Sequence, residues 1–291
     1  MFTEVEKNEE SLRRAYQEAV EFTKSHYENF PVISFFLPKR IYKHVAVVYQ
    51  FARTADDIAD NFSEPVEKRL IKLNRFRDKL TSSLDDKFSN EFWMALRNTI
   101  LNFQLNPINF IALLDAFEHD LRIASYETLE EVFNYCSNSA NPVGRIILEL
   151  LGIKDTKYFE MSDKICTALQ ITNFIQDART DITAGRIYFP KEMLEKHGVP
   201  IESLKALEYT PQLKRLLAEL SGLLEKMYYE GRPMLNVLPY RMKVQIGATI
   251  NGGLMILEKI KKNEFNVFNY RPKLSKLDFV KIFAKTILTA E

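Results

Sequence analysis

Two groups of carboxylates carry the chemistry open to this chain. Asp56, Asp57 and Asp60 close the segment Tyr49-Gln50-Phe51-Ala52-Arg53-Thr54-Ala55-Asp56-Asp57-Ile58-Ala59-Asp60, and Asp177 and Asp181 lie in Asn173-Phe174-Ile175-Gln176-Asp177-Ala178-Arg179-Thr180-Asp181. On an α-helix, positions i and i+4 share a face one turn apart. Each group therefore points two carboxylates toward one place, where they repel unless a cation lies between them. Such pairs suit Mg²⁺, a hard ion that takes oxygen ligands, keeps several waters and bridges protein to phosphate.

A single acidic pair of this kind is common on solvated helix faces. Here both groups interrupt apolar sequence: Val45, Val48 and Phe51 precede the first, and Ile165, Leu169, Ile171 and Phe174 precede the second. Carboxylates set among apolar residues need partners. Arg53 stands three residues before Asp56 and four before Asp57, on or near the same face. Gln170, Asn173, Asp177 and Asp181 form a polar stripe along one helix, in which Asn173 can orient a ligated water and Gln170 can hydrogen-bond a diphosphate or a carboxylate. The segment that follows, Gly185-Arg186-Ile187-Tyr188-Phe189-Pro190, supplies a glycine hinge, a guanidinium and a phenol that can fold over an anion. Arginine suits phosphate oxygens through its fixed fork of donors.

These residues need rigid elements to hold them, and the chain supplies helices. Apolar residues at Ile41, Val45, Val48, Phe51, Ala52 and Ala55 follow helical rather than alternating spacing. The same period predicts helices over Asn8–Tyr27, Pro65–Leu80, Asn90–Phe103, Pro107–Ile123, Thr128–Leu151, Tyr158–Ile182, Pro211–Tyr229, Tyr240–Lys261 and Lys276–Leu288, roughly ten in all. No run of alternating β-branched residues predicts a sheet, and no linker divides the 291 residues. The expectation is a single all-α domain over 1–291. Pro142 and Gly144, inside the stretch to Leu151, predict a kink that either packs or shapes a pocket wall; a mid-helix Pro costs about 3 kcal/mol. Gly252-Gly253 predicts close helix approach or a wall thinned for a ligand.

Composition narrows the class. The 40 Lys and Arg against 39 Asp and Glu leave a formal charge of +1, and the basic residues are scattered, which argues against nucleic acid. Cys136 and Cys166, without a CxxC, predict a reducing compartment and no disulfide framework. The start is charged and lacks the apolar core of a signal peptide, and no uncharged apolar run reaches about 18 residues. A cytoplasmic protein is expected, at most peripheral on the inner face of a membrane. Lys273 to Leu288 mixes Lys with Leu, Phe and Ile at helical spacing, which suits either a packed terminal helix or one lying on a bilayer.

The chain resembles the squalene/phytoene synthase family, the head-to-head trans-isoprenyl diphosphate synthases. The resemblance is carried by His26-Tyr27-Glu28-Asn29-Phe30 with Leu37-Pro38, by Tyr49 through Asp60, by Tyr135-Cys136 through Gly144, and by Gln170 through Pro190, in the family's order. Asn29-Phe30-Pro31-Val32 and Ser139 to Arg145 are most similar to the bacterial hopanoid branch of squalene and hydroxysqualene synthases. The resemblance implies an isoprenoid synthase fold with helices around a central cavity. It also implies Mg²⁺ held by Asp56, Asp60, Asp177 and Asp181 with Asp57 and Asn173 in support, and diphosphate met by Arg53 and Arg186. His26, Phe30 and Tyr49 would line the mouth or the prenyl pocket, with Gln170 and Tyr188 also toward the substrate. In one departure, Asn138 stands where many squalene synthases have Tyr, which puts a full two-step reaction in question.

The activity so implied is ionisation of presqualene diphosphate to hydroxysqualene by water capture or to squalene by hydride capture. The chain has no glycine-rich nucleotide fingerprint, which leaves use of NADPH open and weakly favours water. Condensation of two farnesyl diphosphates and phytoene synthesis are the enzyme alternatives. A divalent-ion-binding helical scaffold is the non-enzyme one. The implied partners are a prenyl diphosphate, a membrane surface touched peripherally, and enzymes of the same pathway.

Overall fold

The computed structural model describes residues 4–26 and 37–289, and every regular element among them is helical. In chain order these are α1 (Glu4–Ser25), α2 (Lys39–Ala59), α3 (Val66–Leu84), α4 (Glu91–Phe103), α5 (Pro107–Asp120), α6 (Leu129–Ser139) and α7 (Asn141–Leu150). They continue with α8 (Thr156–Gln176), α9 (Ala178–Thr183), α10 (Lys191–His197), α11 (Ile201–Lys205), α12 (Pro211–Gly231), a 3₁₀ turn over Arg232–Val237, α13 (Tyr240–Lys262) and α14 (Lys276–Thr289). Local chemistry sets several boundaries. Asn90, Asn106, Asp155 and Thr210 each accept a backbone N–H at the start of the following helix, relieving donors the helix cannot pair itself. At α6, Thr128 Oγ1 accepts from Glu131 N while the Glu131 carboxylate accepts from Glu127 N, a reciprocal cap.

Packing gathers the chain into two compact units. One holds the residues up to Arg122 together with Arg145–Lys154; the other holds Ile123–Gly144 and the residues from Asp155 onward.

In the first unit α2 is the central helix, touching α1, α3, α4 and α5. Its stripe Ile41, Val45, Val48, Phe51 and Ala55 is buried as the spacing predicts. Phe51 meets Phe76, Trp93 and Phe110 at ring-centroid distances of 5.2, 6.3 and 5.4 Å. Each such side chain, taken from water, contributes about 1.5–3 kcal/mol. This packing fixes the helix whose far end carries the first acidic group.

A buried polar thread crosses the same unit. His44 Nδ1 lies 2.9 Å from Thr99 Oγ1, which lies 2.9 Å from the Tyr16 hydroxyl, and the imidazole meets Tyr16 and Phe103 edge-on. Burial, helped by the Lys43 charge, pulls the His44 imidazole down to about 4. The unfolded chain takes up that proton near 6.5, so stability is complete above that value and falls as pH drops toward 4. The expected loss is about 3 kcal/mol. Urea midpoints measured from pH 7 down to pH 4 should show it, with a shallower slope in His44→Gln.

In the second unit α8 is central, packed against α12, α13 and α6. Glycines set the approach distances. A Cβ on Gly231 would lie 2.6 Å from the Met161 carbonyl oxygen and 2.5 Å from Ile165 Cγ1, so α12 meets α8 nearly backbone to backbone. A Cβ on Gly253 would lie 2.6 Å from Tyr228 Cζ, which gives the Gly-Gly pair of α13 its packing role.

Three expectations need correction. The stretch Thr128–Leu151 is two helices rather than one kinked helix. α6 ends at Ser139, and Pro142 falls in the first turn of α7, where its missing N–H costs nothing. Gly144 there lets α7 approach α8, since a Cβ would lie 2.7 Å from Cys166 Sγ. The stretch Tyr158–Ile182 also divides, with Asp177 at φ −102°, ψ 8° between α8 and α9. Finally, α10 and α11 went unpredicted because each spans two turns or fewer around Gly198-Val199-Pro200, too short for a period to show.

Candidate active site

In the first unit, Tyr49, Arg53, Asp56, Asp57 and Asp60 run along and off the end of α2 at near-helical intervals. Arg53 holds both neighbouring acids: Nη1 donates to Asp56 Oδ2 at 3.1 Å, and Nη2 lies 2.8 Å from Asp57 Oδ1. The Asp56 and Asp57 side chains are 35% and 46% exposed, so this pair is half-solvated. Asp60 caps the helix through its N–H to the Asp56 carbonyl, and its side chain is exposed. His26 ends α1 with Nδ1 2.8 Å from the Phe22 carbonyl oxygen, and its ring stacks on Phe22 at 4.0 Å. Phe22 in turn meets Tyr49 at 6.5 Å. Two residues expected at a prenyl pocket, His26 and Tyr49, thus share the neighbour Phe22. Phe30 lies outside the described residues.

The second unit holds the more enclosed acidic pair. The turn at Asp177 keeps the i to i−4 bonds running, since Asp177 N–H donates to Asn173 O at 2.8 Å and Asp181 N–H to Asp177 O at 3.0 Å. Gln170, Asn173, Asp177 and Asp181 therefore keep one rough stripe across the break, with Gln170 half-buried and Asn173 exposed. The Asp181 side chain is only 17% exposed. Burial pushes its carboxyl up to about 6, with Arg186 opposing the rise and the Asp177 charge adding to it. Arg186 Nε stands 4.0 Å from Asp181 Oδ1, and the Arg186 N–H donates to the Asp181 carbonyl at 2.8 Å.

Asp177 has a partner that local sequence did not disclose. Arg271 donates from Nε to Asp177 Oδ1, and that contact raises the guanidinium above its ordinary value. The strand of chain around Arg271 is tied to the same corner twice more. Arg179 Nη1 donates to Phe268 O at 2.7 Å, and Gln176 Nε2 donates to Pro272 O at 2.5 Å. Arg271 lies between the helices predicted over Tyr240–Lys261 and Lys276–Leu288, and no spacing rule links it to a residue 94 positions away.

The Gly185–Pro190 segment is a pinned strip rather than a loose flap. Gly185 turns it at φ +83°. Ile187 N–H then donates to Ala124 O at 2.7 Å, and Lys191 N–H to Tyr126 O at 3.0 Å, around the isolated bridge Ser125–Ile187. This pinning lays Tyr188 flat on Phe174, centroids 3.8 Å apart and planes 3° from parallel. Tyr126 and Tyr135 lie 6.0 and 6.2 Å from Tyr188, completing an aromatic cluster one turn before Asp177. Sequence alone does not mark Phe174 as a site residue, because an aromatic at a helical core position reads the same whether it packs or faces a ligand, and Tyr126 lies between helices, where no period applies. Asn138 is exposed near the end of α6.

The donor set fits Mg²⁺ of one kind and not another. Among the described residues no three acidic, His or Cys side chains converge as a protein-only cage. Both groups offer hard carboxylate oxygens in pairs, the ligation Mg²⁺ uses when waters and substrate phosphate fill its remaining positions. The half-buried Asp181 beside Asp177 is the clearest place for a cation. The guanidiniums of Arg53, Arg186 and Arg271 now lie against these carboxylates and are equally suited to a phosphate.

The sequence profile of the squalene/phytoene synthases matches residues 23–278. The chain is similar to a hydroxysqualene synthase of Rhodopseudomonas palustris, 32% identical over 223 residues that cover 76% of this chain and 75% of that one. It is similar to a hydroxysqualene synthase of Sinorhizobium fredii at 28% identity, covering 81% and 80%. Among solved structures it superposes on squalene synthase HpnC from Alicyclobacillus acidocaldarius with a TM-score of 0.83 and 33% identity, over 88% of this chain and 96% of that one. The helical architecture is thus that of the squalene-synthase-type isoprenoid synthases, and the chain belongs to the squalene/phytoene synthase family.

Proposed function

We propose that this protein ionises presqualene diphosphate in a Mg²⁺-dependent reaction and lets water capture the cation, giving hydroxysqualene and diphosphate. The observation that carries the reading is the corner at Asp177: a half-buried acidic pair, two guanidiniums and a stacked aromatic cluster within one unit. The names of the two relatives support the choice of product. The bond between the substrate carbon and the diphosphate oxygen breaks with its electron pair going to diphosphate. The cyclopropylcarbinyl cation rearranges, a water oxygen bonds to carbon, and the proton of that water is lost. Bound at these carboxylates, Mg²⁺ would neutralise the diphosphate and stabilise charge on the leaving oxygens.

The residues of the chain supply the rest. Asp177 and Asp181, with Asn173 in support, hold the cation side, as do Asp56, Asp57 and Asp60. Arg186 grips diphosphate once substrate competes with its carboxylate partner, with Gln170 as a further donor, and Arg53 is suited to the same task beside Asp56 and Asp57. Phe174, Tyr188, Tyr126 and Tyr135 supply rings whose faces attract a carbocation, and the burial of Phe174, Tyr126 and Tyr135, with Tyr188 half-buried, keeps stray water away. We assign the chain, as one working domain, to this reaction in the cytoplasm. Substrate and product carry long hydrocarbon chains, so the reading includes peripheral contact with a membrane.

A second reading, squalene formed from two farnesyl diphosphates with NADPH, is favoured by the name of the Alicyclobacillus structure. One assay separates them: incubation with Mg²⁺ and either presqualene diphosphate or farnesyl diphosphate, with and without NADPH, followed by analysis of the C30 products. Hydroxysqualene from presqualene diphosphate without NADPH is the expected result, lost on chelation with EDTA. Squalene from farnesyl diphosphate only when NADPH is present would replace it with the second reading.

A further inference from the structure

α14 is apolar on two opposite sides. One side is used by the fold: Ile282 is buried, and Thr286, also buried, accepts from Asn251 Nδ2 of α13 at 2.8 Å. The other side carries Leu277, Val280, Ile287 and Leu288, which are 73, 66, 46 and 79% exposed, together with the exposed Ala284. At 3.6 residues per turn these five positions span an arc of about 100°. Lys276 borders one edge of the arc, and Lys281 and Lys285 border the other. The one acid of the helix, Asp278, lies off the arc, where Lys259 Nζ at 2.8 Å and Ser275 engage it.

A helix face turned to water is ordinarily polar. A contiguous apolar stripe with lysines along both rims has the pattern of a helix lying in the plane of a lipid headgroup layer. There the apolar residues enter the acyl boundary, and the lysine stems run along it so that their ammonium groups reach phosphates. The same helix does not cross a bilayer, since no helix among the described residues is long and apolar enough. A second copy of this chain fits the face less well. Two such arcs packed together would set lysine rims against each other with no acid between them.

We infer that α14 docks the protein onto an anionic lipid surface, with Leu277, Val280, Ile287 and Leu288 inserted and Lys276 and Lys281 on lipid phosphates. The inference stands on α14 alone. Its test reads sedimentation rather than turnover, so it can fail while the reaction above holds, and the reverse.

The experiment mixes the full chain with vesicles of phosphatidylcholine alone, or of phosphatidylcholine and phosphatidylglycerol in equal parts, and spins them down at low and high salt. The protein should pellet with the mixed vesicles, stay in solution with the neutral ones, and be released by salt. Lys276→Gln and Lys281→Gln should each weaken binding about fivefold. Leu277→Ser with Leu288→Ser should abolish it while circular dichroism and melting temperature stay unchanged. Wild-type protein that ignores the mixed vesicles, or that binds both kinds equally, overturns the inference. So does a serine double variant that pellets as before. A dimer seen by light scattering and dissolved by the same double variant would assign the face to a second copy instead.

Discussion

Asp177→Asn lowers diphosphate release by on the order of 10²–10³-fold, the scale at which a single group that stabilises developing charge is felt. The carboxamide keeps the size and the hydrogen-bonding outline of the carboxylate but removes the charge that, paired with Asp181, would hold a cation against the leaving group. The fold should survive, because Asp177 is half-exposed between α8 and α9 and its backbone bonds to Asn173 and Asp181 do not involve the side chain. Asp181→Asn should cost activity similarly and melt at the same or a higher temperature in metal-free buffer. Its carboxyl is mostly buried beside another negative charge, and the neutral amide removes both penalties. Loss of activity with unchanged or improved stability is the mark of a residue kept for chemistry. Single-turnover release of diphosphate, measured beside thermal melts, checks it. An active Asp177→Asn would remove the basis of the proposed reaction, and an inactive but unfolded one would be recognised from the melt.

Gly253→Ala is expected to cost about 3 kcal/mol of stability. The new methyl would sit 2.6 Å from Tyr228 Cζ and closer still to the hydroxyl. Tyr228 is fully buried, and its hydroxyl lies 3.1 Å from Thr172 Oγ1 on α8. The ring cannot swing into solvent, so either α13 moves away from α12 or the Tyr228–Thr172 hydrogen bond breaks inside the core. Overpacking of a tight core typically costs 1–3 kcal/mol, and a buried polar group left without its partner adds about 1–3 kcal/mol. Because Thr172 stands one residue before Asn173, the strain reaches the helix that carries the second acidic group. A urea titration measures the effect. Gly253→Ala combined with Tyr228→Phe should recover part of it by removing the hydroxyl that the methyl strikes. If the single variant were as stable as wild type, the close approach of α12 and α13 would not be as drawn.

How much of this was legible beforehand differs by residue. The spacing of Val45, Val48 and Phe51 gave the buried face of α2, and Arg53 with Asp56 and Asp57 gave the ion pairs found there, because i,i+3 and i,i+4 neighbours meet by the geometry of the helix alone. The stripe from Gln170 to Asp181 was legible for the same reason, although the turn at Asp177 that divides α8 from α9 was not. One residue can leave helical φ and ψ without disturbing a period averaged over several turns. The spacing predicts Pro142 inside a helix, whereas it opens α7, since a proline in the first turn and a proline at a kink look alike in sequence.

What the sequence by itself determined is what depends on near neighbours: an all-helical chain, two acidic groups each facing one way, and the motif order that marks the family. Tertiary structure alone decided the pairing of Arg271 with Asp177 and the stacking of Tyr188 on Phe174 by a strip bonded to Ala124 and Tyr126. It also decided the burial that pushes Asp181 up to about 6. Those contacts join residues far apart in the chain, and their geometry follows from how helices pack. A local period can show which side of a helix is buried but not what is buried against it.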